Sequence, residues 1–269
     1  MKTIAALAVT AGLLVPAQGN AADMAAKPYY KAAPPVAYLP WNKCYVGASG
    51  GYITSDTSTT TITPNDANLL LSQTLGNVPT SLPSDPDGGI VGGTLGCNYQ
   101  TGSTVLSVET DLSYTSLRST SSVMLGAFAV TTIYQHEMPA FGTFRGRLGH
   151  AFGNTLLYAT GGLAYGYVKT RAHIFPGPAG VLLGGAELLG QQDEWRAGWT
   201  VGAGLEHMIS ENWSIKGEYL YYDLGTSAVT AVTIAGGPVE SGTFRHGNSG
   251  HIIRAGINYQ FGNLWASKY

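Results

Sequence analysis

Between residues 253 and 261 the side chains alternate without a break. Ile253, Ala255, Ile257, Tyr259 and Phe261 share one parity; Arg254, Gly256, Asn258 and Gln260 share the other. Successive strand residues point to opposite faces, so this stretch reads as a strand with one apolar and one polar face. Residues 213–221 repeat the pattern, with Trp213, Ile215, Tyr219 and Tyr221 set against Lys216 and Glu218. A water-soluble sheet buries its apolar face and covers its outside with charge. Here only 11% of residues are charged, less than half the usual share of about 25%. The apolar faces must therefore meet something other than water. No stretch after the N-terminal segment approaches the roughly 18 consecutive apolar residues of a membrane-spanning helix. A bilayer crossed without such runs is crossed by a closed β-barrel, whose backbone groups pair strand to strand.

The rest of the chain can be divided on that basis. Eight segments have strand character: 43–54, 88–100, 104–116, 130–149, 155–170, 196–208, 213–224 and 250–262. The connections Thr101 to Ser103, His150 to Asn154 and Ile209 to Asn212 are short, whereas 55–87, 117–129, 171–195 and 225–249 are long. Short turns on one rim and long loops on the other are the pattern of outer-membrane barrels, with the short side periplasmic. The expected fold is an all-β, eight-stranded antiparallel transmembrane barrel of up-and-down topology.

The N-terminus specifies export. Lys2 precedes an apolar stretch from Ile4 to Val15, and Gly19 and Ala21 occupy the small-residue positions of a cleavage site. Residues 1–22 read as a signal peptide. Residues 23–42, with Pro28, Pro34, Pro35 and Pro40, read as an extended periplasmic linker. The barrel is then 43–262, and 263–269 form a C-terminal extension. The net charge of −2 argues against a nucleic-acid partner.

Parity also assigns the interior. Glu109, Asp111, Arg145, Arg147, Glu206, Lys216, Glu218 and Arg254 fall on inward faces. An eight-stranded barrel has an interior that side chains just fill, and charges placed there must pair. A sealed salt-bridged core is expected, with a narrow charged pore as the alternative. Glu109 and Asp111 are spaced like an acid–base pair, but Arg145 and Arg147 stand as their partners, so no catalytic residue is assigned. Trp213, Tyr219, Tyr221, Tyr259 and Phe261 have the outward parity of an aromatic girdle. The six histidines are scattered, without metal-ligand spacing, and no cofactor or metal site is expected. Cys44 and Cys97 share outward parity near the periplasmic rim, where an oxidising compartment leaves either a disulfide or two lipid-facing thiols. Ile174, Phe175, Val181, Leu182, Leu183, Leu188 and Leu189 place apolar groups in connection 171–195. This segment reads as a short helix across the barrel mouth, or as a contact for a ligand or a second copy.

Several motifs carry a further resemblance. Trp41 to Gly47, Gly146 to Gly149, Tyr158 to Gly166, Gly198 to Glu206, Glu218 to Tyr221 and Arg254 to Phe261 together resemble the outer-membrane immunogenic protein family. These are small porin-like barrels of Gram-negative bacteria. The resemblance implies an eight-stranded outer-membrane barrel with surface loops and no enzymatic activity. Its implied partners are outer-membrane lipids with lipopolysaccharide, and the barrel-assembly machinery, which reads the C-terminal strand. Two departures stand out: the family ends on the aromatic matching Phe261, whereas this chain continues to Tyr269, and Cys44 and Cys97 occupy aromatic positions. The functional expectation is a structural and surface-display role. A small diffusion porin, or a loop receptor for haem or a host surface, are the alternatives.

Overall fold

In the computed structural model, which describes residues 40–182 and 185–262, the alternating last strand closes a ring. That strand, β10 (Ser241–Phe261), pairs antiparallel with β1 (Cys44–Ser55) from Cys44↔Phe261 to Ser55↔Gly250. Between them β4 (Asp87–Thr101), β5 (Thr104–Leu125), β6 (Val130–Phe152), β7 (Thr155–Phe175), β8 (Glu187–Met208) and β9 (Trp213–Ala235) pair each with its sequence neighbour. A closed ring leaves no unpaired edge, which is why strands can line a lipid-facing wall. Short turns join β4 to β5 and β6 to β7, each with a glycine at positive φ, Gly102 at +59° and Gly153 at +62°. A Cβ there would strain the backbone. The signal peptide, most of the linker and the extension after Gly262 lie outside the described residues.

The strands run longer than the sequence pattern indicates. Connections 117–129, 171–195 and 225–249 are largely strand, and β5 meets β6 through a turn at Gly126–Ala129. The physical reason lies on the outer wall. Tyr52, Tyr114, Tyr167 and Trp195 mark the outer edge of the apolar band. Beyond them, directly paired outward residues on five adjacent strands are Asp87, Arg118, Glu137, Lys169 and Asp193. The wall therefore leaves the membrane there while the hydrogen-bonded ladder continues, and apolar alternation stops at the lipid, not at the strand end. Opposite charges set across neighbouring strands stabilise such a belt by about 0.2–1 kcal/mol per pair. At the other rim Trp213, Tyr259 and Phe261 face outward, with the Trp213 and Tyr259 rings 5.0 Å apart. Tyr219 and Tyr221 lie toward the outer edge beside His251.

Connection 55–87 is also structured. β1 ends before its neighbours do, and β2 (Thr59–Pro64) takes its place beside the upper part of β10, from Gly242↔Pro64 to Arg245↔Thr61. β3 (Ser81–Pro83) pairs with β2. Helix α1 (Ala67–Thr74) lies between them; the Asp66 side chain accepts from the N–H groups of Asn68 and Leu69, a cap that fixes its start. The expected helix in 171–195 is the single turn α2 (Pro178–Leu182), whose Val181 and Leu182 remain exposed.

Cys44 pairs directly with Cys97 across β1 and β4, and the two sulphurs are bonded. In denaturant without reductant, thiol titration should find no reactive cysteine, and two after reduction. Two before reduction would refute the bond. Its loss should cost at most about 4 kcal/mol by the chain-entropy argument.

Candidate functional site

The lumen is the place where this barrel concentrates chemistry, and it is layered. At the periplasmic end Trp41, counted by sequence with the linker, is fully buried with Val105, Leu156, Tyr158 and Met208. Its backbone N–H donates to Gln100 Oε1 (3.0 Å) and its indole N–H to the Gly153 carbonyl (3.1 Å). The linker thus ends in a stopper that the barrel binds by both polar handles of one residue.

Above it lie the eight charged residues. Arg145 on β6 reaches Glu218 on β9 (2.8 Å), Asp111 on β5 (3.2 Å) and Glu109. Arg147 bridges Glu206 on β8 (2.9 Å) and Glu109 (3.2 Å), and its guanidinium carbon sits 3.7 Å from the centre of the Tyr158 ring. Lys216 pairs with Glu109 (2.9 Å), and Arg254 pairs with Glu218 (2.8 Å) and, through two nitrogens, with Asp111. Their side chains are at most 1% exposed. Parity alone could not show Tyr45, whose hydroxyl accepts from Arg147 and donates to Glu109, both at 2.6 Å. Parity placed Asn258 on the polar face but not its partner: Ser214 and Asn258 donate to Glu206 at 2.6 and 2.7 Å. Four acids and four bases taken out of water would be prohibitive singly; paired and hydrogen-bonded, they form a cross-linked plug. Every carboxylate in it already accepts from a cation, so none is available as a general base.

An apolar layer follows: Ile53, Ile90, Leu117, Met138, Phe141, Ala164, Val168, Leu220, Tyr222, Leu224 and Ile252. Level with the charged belt, two imidazoles then meet across the lumen from opposite walls. His136 of β6 and His246 of β10 have ring centres 4.5 Å apart and are almost fully buried. Thr60 Oγ1 lies 3.1 Å from His246 Nδ1. Burial pushes both imidazoles down from the ordinary 6.5, His136 to about 3 with the His246 charge adding to the effect, and His246 to about 4. A second apolar core closes the extracellular end, with Ile62, Leu69, Val78 and Leu82 from connection 55–87 packed on Tyr134, Ile174, Leu188 and Phe244. The Tyr134 and Phe244 rings stack at 5.9 Å. In sequence, 55–87 reads only as a long connection, which does not place its apolar residues inside the wall.

Comparison with known proteins fits this architecture. The family model described as "Outer membrane protein beta-barrel domain" matches residues 30–265. The chain belongs to this outer-membrane β-barrel family. Among curated members, the 31 kDa outer-membrane immunogenic protein of Brucella melitensis is 36% identical over 65% of this chain and 67% of its own length. The 22 kDa outer membrane protein of Rhizobium leguminosarum bv. viciae is 28% identical over 62% of this chain and 63% of its own. Of solved structures, the outer membrane protein OprG of Pseudomonas aeruginosa aligns over 83% of this chain and 99% of that one, with 14% identity and a TM-score of 0.49. Like its family, the protein is an integral β-barrel of the outer membrane, and it is similar to an outer-membrane immunogenic protein.

Proposed function

We propose that this family member is a sealed barrel that reinforces the outer membrane and carries its extracellular half as a display surface, with no transport through the lumen and no catalysis. The observation that carries the reading is Arg145. It is fully buried at mid-lumen and bonded to carboxylates on β5 and β9. A pore needs hydrated charges; these are dry and paired with one another. Above and below them stand the two apolar closures. The partners that suit this role are lipid and lipopolysaccharide around the wall, with the assembly machinery at β10. Planar-bilayer recording on refolded protein tests it. Silence is expected up to potentials that the bilayer itself withstands. Steady unitary conductance in the unmodified protein would overturn the reading in favour of a diffusion porin.

A further inference from the structure

The extracellular end holds a pocket that the sealed lumen does not use. α1, the β5–β6 turn, the end of β7 and the β9–β10 turn enclose about 270 Å³. Its apolar wall comprises Leu71, Leu75, Val78, Phe128, Val130 and Ile174. Val78 and Ile174 are buried, whereas Leu71 and Leu75 are 57% and 64% exposed at its rim. Apolar side chains gathered at the mouth of a cavity, on a part of the barrel that stands in water, mark a binding site better than a packing defect.

The charge lining the pocket has one sign. Among the described residues that line it, Glu240 is the only ionisable one. Its backbone is fixed, since its N–H donates to Thr233 Oγ1 (2.8 Å) and its carbonyl accepts from the Thr233 N–H (3.0 Å). Among the described residues, its carboxylate forms no salt bridge; the pairs outside the lumen are His173–Glu187, Arg196–Glu194 and His251–Asp56. Partial burial, with the Asp66 charge adding to it, raises its carboxyl above the ordinary 4.5. An unpaired acid against an apolar wall is stabilised by a cation that brings its own apolar body.

We propose that this pocket binds a small amphipathic amine, its ammonium against the Glu240 carboxylate and its ring or short alkyl body against Leu75, Val78 and Phe128. The size suits such a body: a cavity of about 150 Å³ takes a benzene, so this one accommodates a fused pair of rings and not a macrocycle. The inference rests on the display reading of the extracellular end. Bilayer recording tests that reading separately, so the two can fail independently.

The test uses the full barrel in lipid nanodiscs and three fluorescent probes that share one ring system: 1-naphthylmethylamine, 1-naphthylmethanol and 1-naphthaleneacetate. Empty nanodiscs correct for partition into lipid. The amine should bind saturably, one per chain, about fivefold tighter than the alcohol, the scale of a partly exposed ion pair; the acetate should bind least. Glu240→Gln should remove the preference for the amine and leave the alcohol unchanged. Leu75→Trp, at an exposed position, should weaken all three by filling the mouth. Retention of the fast-migrating unboiled band in SDS would establish that each variant is folded. Equal binding of the three probes, or a preference that survives Glu240→Gln, would overturn the ligand class. No saturable binding, or binding indifferent to Leu75→Trp, would overturn the site.

Discussion

Arg145→Ala is expected to destabilise the barrel by on the order of 3–5 kcal/mol, the range for breaking a buried ion pair from one side. Arg145 holds three carboxylates: Glu109, Asp111 and Glu218. Its removal leaves four acids facing Arg147, Lys216 and Arg254 in a space that water cannot enter freely. Lys216 still pairs with Glu109, and Arg254 with Asp111 and Glu218, which softens the loss but does not abolish it. The same truncation at Lys169, on the watery part of the outer wall, should cost well under 1 kcal/mol. Urea unfolding in lipid vesicles, followed by the shift between folded and unfolded bands, compares the two. Equal losses would mean that the lumen is hydrated.

Acid should loosen the extracellular end. His136 and His246 are buried as neutral rings whose folded-state values lie below the ordinary 6.5, at about 3 and about 4. A base with a depressed value binds its proton more readily when unfolded. Stability is therefore undiminished above about pH 6.5 and falls as pH drops toward those values. At about 1.4 kcal/mol per pH unit per ring, the pair together should lose about 5 kcal/mol between pH 6.5 and 4.5. Each ring meets the other, with Tyr134 and Thr60 beside His246 and no carboxylate in salt-bridge range of either among the described residues. Hydrogen exchange of β2 and of the upper parts of β6 and β10 should thus accelerate with acid, while the mid-membrane segments stay protected. Replacing both histidines with glutamine should flatten that dependence. An unchanged acid response in the double variant would place its source elsewhere.

What the sequence revealed depended on where lipid supplied the contrast. Within the bilayer every second residue is apolar, so the parity of Glu109, Arg147 and Arg254 was readable and their common destination followed from closure. Their individual partners were not readable, because which oxygen meets which nitrogen depends on the strand stagger around the ring. Tyr45 escaped notice because an aromatic at inward parity reads as filling until its hydroxyl is seen between Arg147 and Glu109. Above the bilayer both faces of the wall can be polar outside and mixed inside. The upper parts of β8 and β9 therefore looked like loops, and β2 and β3 had no periodic signal long enough to separate them from surface connection. The histidines, scattered in sequence, meet only because β6 and β10 stand on opposite sides of an eight-membered ring.

The paired charges Asp87, Arg118, Glu137, Lys169 and Asp193 also set how deep the molecule floats. To sink by one residue pair, all five would have to enter hydrocarbon together, and charges near the interface become costlier with each ångström of depth. To rise by the same amount, Tyr52, Tyr114, Tyr167 and Trp195 would be lifted into water. The barrel is thus held between two opposing gradients, like a hull between its ballast and its waterline. A thinner or thicker bilayer would have to deform around it, since the belt is locked to the ladder and cannot slide along the wall.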